Sequence, residues 1–182
     1  MLRTKLMAGF FAAGLLALTG CGGGGTAAPT PSAAEPTETH ASGSASTAPA
    51  EVPETLKFTG TTVDGKTFDG ASLAGKPVVL WFWAPWCPKC KAAAPHVEAA
   101  AKANGDVHVI GVGGLGKSPE MQAFVKDNGL SIVNLADDAG DVWKKFGVTQ
   151  QDTFVLIDGD GTVVHKGGLS KDEIKTKVGE LA

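Results

Sequence analysis

VVLWFW, residues 78–83, is an unbroken apolar run led by two valines. A run this short with no alternation predicts a strand covered on both faces. Upstream, LKFTG (56–60) and KTFDG (66–70) flank TTVDG, in which Asp64-Gly65 signals a turn, so a small leading hairpin is expected. Downstream, alanine-rich chain from Cys87 to Asn104 predicts a helix, with Pro88 at its first position, Asn104-Gly105 as the stop and Pro95 as a kink. DVHVIGVGG (106–114) alternates as a second strand. SPEMQAFVKDNG (118–129) reads as a helix capped by Ser118, ended by Gly129 and buried along Met121, Phe124 and Val125. A strand at SIVNLAD and a helix at DDAGDVWKKFG follow, then TFVLID and TVVHK joined as a hairpin by GDG. The last helix opens on Ser170 and Glu173 at capping-box spacing and buries Ile174, Val178 and Leu181. Strands alternating with helices and closed by a hairpin and a helix predict an α/β sandwich around a mixed sheet.

The pattern begins at residue 54. Before it, Arg3 and Lys5 precede LMAGFFAAGLLAL, an apolar run of signal-peptide length, so residues 1–20 read as an export signal. Residues 22–53 contain no Leu, Ile, Phe or Trp and have too little apolar surface to offset the entropy of ordering. They read as a tether with an r.m.s. span of about 30 Å, in which His40 is only solvated. LTGC (18–21) resembles the lipobox of bacterial lipoprotein precursors. That resemblance implies cleavage before Cys21, a lipid on Cys21, and a domain of residues 54–182 held at the outer face of a bacterial membrane. The chain has 182 residues, 43% of them hydrophobic, and a net charge of −3. This allows one globular domain and offers no basic surplus for nucleic acid.

Within that domain the only cysteines are Cys87 and Cys90, at the end of the central strand. A disulfide closing so short a loop constrains the unfolded chain little. A closed structural zinc site needs about four ligands, and Cys21, His40, His96, His108 and His165 supply no second pair at similar spacing. What remains is redox exchange, in which one thiol attacks a partner disulfide and its neighbour resolves the mixed disulfide. Cys87 falls at the helix N-cap, where unpaired N–H groups and the helix dipole favour a thiolate, and is expected to be the exposed nucleophile. Cys90, one turn inside, is the resolving thiol. Lys89 between them favours the thiolate modestly, because an exposed charge is screened. Trp83 is expected in the core, Trp86 on the rim where substrate would touch, and His96 on the surface.

WCPKC followed by Pro95, on a strand-to-helix turn, resembles the thioredoxin fold. More narrowly, VDGKTFDGASLAGKPVVLWFWAPWCPKC resembles the extracytoplasmic TlpA, ResA or DsbE-like oxidoreductases, and FWAPWCPKC is similar to secreted actinobacterial Dsb proteins. The resemblance spans about residues 56–182. It implies a thioredoxin-like three-layer sandwich with a mixed central sheet and an N-terminal hairpin. It also implies a thiol-disulfide oxidoreductase that uses a redox-active Cys87–Cys90 disulfide, with no further cofactor and no metal. Its partners would be exported thiol or disulfide proteins and a membrane redox partner, and the protein itself would be a monomer.

Two positions depart from the family pattern. GVTQQDT places Asp152 where the family has a cis-proline, and a non-proline cis bond costs about 2.5–4 kcal/mol, so a trans backbone is expected there. The family's buried acid falls at Trp81, and the alternative glutamate falls in GVGGLG, which has no acid. Asp152 is the nearby acid that can modulate the dithiol, unless it turns to solvent. A thiolate carrier of copper or zinc on the same scaffold is the alternative function, soft thiolates favouring Cu(I). A peroxidase reading fits less well with a complete dithiol. The direction of exchange, oxidation or reduction, is left open by CPKC.

Overall fold

The structure, a computed structural model, describes residues 51–182. The export signal, Cys21, His40 and nearly all of the tether lie outside the described residues. At the start of the described chain, Val52 packs against the core.

Seven strands and four α-helices follow one another as expected, with several edges moved. A 3-10 turn, Glu54–Leu56, precedes β1 (Thr59–Thr61), which pairs antiparallel with β2 (Thr67–Asp69). The first strand is therefore shorter than LKFTG predicted, because Leu56 is buried as an anchor instead of pairing. A second 3-10 turn, Gly70–Leu73, leads to β3 (Val78–Trp83), every residue of which is buried. Next come α1 (Pro88–Ala103), β4 (His108–Gly113), α2 (Ser118–Asp127), β5 (Val133–Ala136) and α3 (Asp141–Lys145). The chain ends with β6 (Thr153–Ile157), β7 (Val163–Gly167) and α4 (Lys171–Gly179).

The larger sheet has the order β5-β4-β3-β6-β7, parallel from β5 to β3 and antiparallel from β3 to β7. Alternation along β3 builds two cores. Val79, Trp81 and Trp83 face α1, α2 and α4. Val78, Leu80 and Phe82 face α3 and the leading segment, through Leu56, Phe58 and Trp143. The result is the three-layer thioredoxin-like sandwich, with the dithiol where the fully buried central strand ends.

Three local expectations are corrected. Ser118 is not the cap of α2: Lys117 occupies the N-cap, its backbone N–H donating to Glu120 at 2.8 Å, while the Ser118 hydroxyl turns to Asp138. The helix expected over DDAGDVWKKFG keeps only Asp141–Lys145, because the Asp137 carboxylate accepts from the N–H groups of Asp141 and Trp143 and holds the preceding residues in a turn. Val125 is only partly buried, in contrast to Met121 and Phe124. The capping box at Ser170 and Glu173 forms as read, and α1 runs on through Pro95.

Candidate functional site: the dithiol turn

Pro88 opens α1 with the φ a first helical turn needs, which leaves Cys87 extended at φ −85° and ψ 112° as the N-cap. Its Sγ accepts the Cys90 backbone N–H at 3.1 Å, satisfying one of the orphan donors of the helix start. Cys87 and Cys90 are paired as a disulfide, with Cα atoms 5.3 Å apart. Cys87 was expected to be exposed, yet it is 3% exposed against 0% for Cys90. The oxidised sulfur is committed to Cys90 on one side and packed into the apolar core on the other. Both cysteines are thus buried in the oxidised pair, and the opening onto Cys87 is narrow.

Trp83 is core, as read. Its ring stacks on Phe124 with centroids 4.3 Å apart, and its indole N–H donates to Asn134 Oδ1 at 3.1 Å. Within GVGGLG, position 111 has no room for any side chain: a Cβ on Gly111 would lie 2.8 Å from Trp83 Nε1 and 1.9 Å from Asn134 Oδ1. Tryptophan fills the space next to this strand. Asn134, buried and bonded to Trp83, was not singled out from sequence, because nothing local marks it.

Asp152 does not turn away. It sits half-buried at φ 60°, its N–H donating to Phe82 O at 2.8 Å and its Oδ1 accepting the Trp81 indole N–H at 3.2 Å. The tryptophan that stands at the expected acid position thus meets the aspartate at the expected proline position. Burial pushes the Asp152 carboxyl above the usual aspartate range; the Trp81 hydrogen bond and the charge of Lys89 pull the other way without cancelling it. Lys89 itself is exposed on the first turn of α1 and, among the described residues, forms no salt bridge.

The rim beside Cys87 is apolar. Trp86 is 58% exposed, and its indole N–H donates to Leu115 O at 2.8 Å. Leu115, not anticipated from sequence, is 54% exposed and holds φ 55°, a left-handed conformation that costs an L-residue about 1–2 kcal/mol. Next to it a Cβ on Gly116 would lie 2.6 Å from Pro85 Cγ, so that turn fits closely against the proline of APWC. Further off, Glu98 was also missed. It is 8% exposed on α1 and accepts from the Ser131 N–H at 2.9 Å, the Ser131 hydroxyl and the Ile132 N–H at 3.4 Å, with Lys102 Nζ at 3.1 Å. His96 is partly buried, and no group of three or more potential metal ligands occurs among the described residues.

An N-cap sulfur paired with a second sulfur one turn inside is a unit for disulfide exchange, a chemistry that one of the relatives below carries in its name. The soluble secreted antigen MPT53 of Mycobacterium tuberculosis is 42% identical over 132 residues, covering 70% of this chain and 76% of that one. The thiol-disulfide oxidoreductase ResA of Halalkalibacterium halodurans is 30% identical over 118 residues, covering 62% of this chain and 66% of the relative. Among solved structures, dsbF of M. tuberculosis, captured in mixed oxidised and reduced forms, superposes with a TM-score of 0.69 at 45% identity, over 72% of this chain and 99% of that one. The family model described as Redoxin matches residues 44–179, most of the chain, and the chain belongs to that family as a thiol-disulfide oxidoreductase.

Proposed function

We propose that the protein exchanges disulfides with exported proteins at the outer face of a bacterial membrane, to which a lipid on Cys21 tethers it. The observation that carries this reading is the Cys87–Cys90 disulfide with Cys87 at the N-cap of α1. A substrate thiolate attacks Cys87 Sγ, the Cys87–Cys90 bond breaks, and Cys90 leaves as a thiolate that takes up a proton. A second substrate thiolate then attacks the substrate sulfur of the mixed disulfide and expels Cys87 as a thiolate. The substrate loses two electrons and gains a disulfide, and the protein holds the dithiol. Run backwards, the same steps begin with Cys87 as nucleophile and Cys90 as resolving thiol, and reduce a substrate disulfide.

A membrane redox partner closes the cycle by resetting the dithiol, and no cofactor beyond the two sulfurs is needed. The N–H groups of the first turn stabilise the Cys87 thiolate, Lys89 adds to this modestly, and the Asp152 carboxylate opposes it. Trp86 meets the substrate at the rim, and the protein works as a monomer. Support for the location comes from the lipobox-like LTGC, the apolar leader before it and a relative named as a secreted antigen; no helix among the described residues is long and apolar enough to cross a membrane.

Equilibration against glutathione buffers tests the chemistry: the expected result is one two-electron transition assigned to Cys87 and Cys90, and a pair that never equilibrates overturns it. Membrane fractionation with Cys21→Ala tests the anchor. Release of the variant into the soluble fraction is expected, and a wild-type protein already soluble contradicts the tether.

A further inference from the structure

The chain enters the domain at one end of the sheet and carries its dithiol at the other. β3 begins at Val78, opposite Ile157 at the end of β6, and finishes at Trp83, from which the chain turns into Cys87. The β6–β7 turn therefore lies at the pole where β3 begins, and the first described residues are fastened to that turn. The Thr55 hydroxyl donates to Gly161 O at 2.7 Å, and a Cβ on Gly161 would lie 2.2 Å from Pro53 Cβ. Only glycine lets the proline come so close, and Gly161 also holds φ 83°. Next to these contacts, Lys145 Nζ donates to Glu54 O at 2.9 Å, and Leu56 is buried in the core that faces α3.

This clasp fixes the end of the domain from which the tether leaves. β3 spans six residues, about 20 Å of strand, so the root of the tether and Cys87 are separated by about that height. A coil of the composition of residues 22–50 has an r.m.s. span of about 30 Å. The two lengths are comparable, and the tether is the longer. With its root toward the bilayer, the domain turns Cys87 to solution. To bring Cys87 down to the bilayer the domain must invert, and the tether must then climb the height of the sheet to reach its root.

We infer that rooting the tether at the pole opposite the dithiol makes tether length a determinant of which partners Cys87 reaches. Chains in solution are met at any length; a thiol or disulfide at the level of the bilayer surface is met only when the tether spans the height of the domain. This rests on the lipid anchor at Cys21 proposed above and divides the partners of that site into two classes by their distance from the membrane.

The test uses the lipidated protein, oxidised, in vesicles of phosphatidylethanolamine and phosphatidylglycerol. One cysteine peptide is supplied in two forms, free in solution or held at the surface by an acyl chain beside its cysteine, and the rate of reduction of the Cys87–Cys90 pair is followed. The full chain should be reduced by both. Deletion of residues 24–43 leaves a tether of about nine residues with a span of about 17 Å, less than the height of the sheet. That variant should keep its rate with the free peptide and lose about tenfold or more with the surface peptide, because a linker that cannot span its sites gives almost no effective concentration. Replacing residues 24–43 by a Gly/Ser segment of equal length should leave both rates as in the wild type. Undiminished exchange of the deletion variant with the surface peptide overturns the inference, as does a full chain that exchanges with the free peptide alone. Loss of surface exchange in the Gly/Ser variant also overturns it, since length is then not what matters. A protein that does not float with the vesicles overturns the anchor and this inference with it, while its exchange with the free peptide still reports on the dithiol.

Discussion

Glu98 and Asp152 are two carboxyl groups drawn partly out of water on the same side of the sheet, one along α1 and one beside its N-terminal turn, and their surroundings move them in opposite directions. Burial raises Glu98, but the hydroxyl and N–H of Ser131, Lys102 and the N–H of Ile132 outweigh it, so its carboxyl is held below the usual glutamate range. Burial also raises Asp152, where one indole N–H and the charge of Lys89 do not make up the difference. The difference lies in how many donors meet the charged form. Glu98 is an ionised pin tying α1 to the chain that enters β5. Asp152 is left sensitive to charge nearby, such as that of Lys89.

The largest contrast to seek is between the chemistry and the pin. Cys87→Ser should reduce exchange with glutathione to background, whereas Glu98→Gln should still exchange, with any loss appearing in stability; rates measured on both proteins check this. Glu98→Ala should cost about 1 kcal/mol in urea unfolding, because the N–H groups of Ser131 and Ile132 lose the carboxylate that accepts them. The pH dependence has a definite sign. A carboxyl lowered in the folded state stabilises above its unfolded pKa, about 4.3, and that contribution is lost as pH falls through the lower folded value. The stability gap between wild type and Glu98→Gln should therefore close in acid.

These two carboxylates also show how far the sequence could be read. VVLWFW, the capped helix after CPKC and the closing hairpin are written in local patterns, and β3, α1, β6 and β7 follow them. The bond from Glu98 to Ser131 joins residues 33 apart, and Asn134 reaches Trp83 across 51; neither partner is marked by spacing or residue type. Ser118 was misread as a cap because its hydroxyl has a competing partner, Asp138, on a distant loop. Leu115 at positive φ was invisible for a simpler reason, since leucine is among the residues least expected there. Asp152 was legible as a departure from the family, but its partner Trp81, 71 residues away, was not.

Two substitutions at 152 sharpen the comparison further. Asp152→Pro puts back the residue of the family pattern, but proline is locked near φ −65° and has no N–H, whereas this residue sits at φ 60° and donates to Phe82 O. It should lower stability by about 1 kcal/mol or more, read from the urea midpoint. Asp152→Asn should do the opposite, and by less. Asparagine keeps an acceptor for the Trp81 indole and tolerates the left-handed region. It also removes a group whose raised folded pKa destabilises the fold at neutral pH. Because that penalty is absent below the unfolded aspartate pKa, about 3.9, and accrues as pH rises through the folded value, the gain should appear near neutral pH and vanish in acid. The same variant should titrate Cys87 at lower pH and make the disulfide more oxidising, as removal of a like charge requires; coincident thiolate absorbance curves would contradict this role.

Cys87, set at the start of α1 with Cys90 waiting behind it, is the nucleophile on which the exchange depends. Limited alkylation of the reduced protein near neutral pH, followed by mass mapping of the two cysteines, tests that assignment most directly. Cys87 should be labelled first, and Cys90→Ser should trap mixed disulfides through Cys87. Equal labelling of the two thiols, or Cys90 labelled before Cys87, would contradict it.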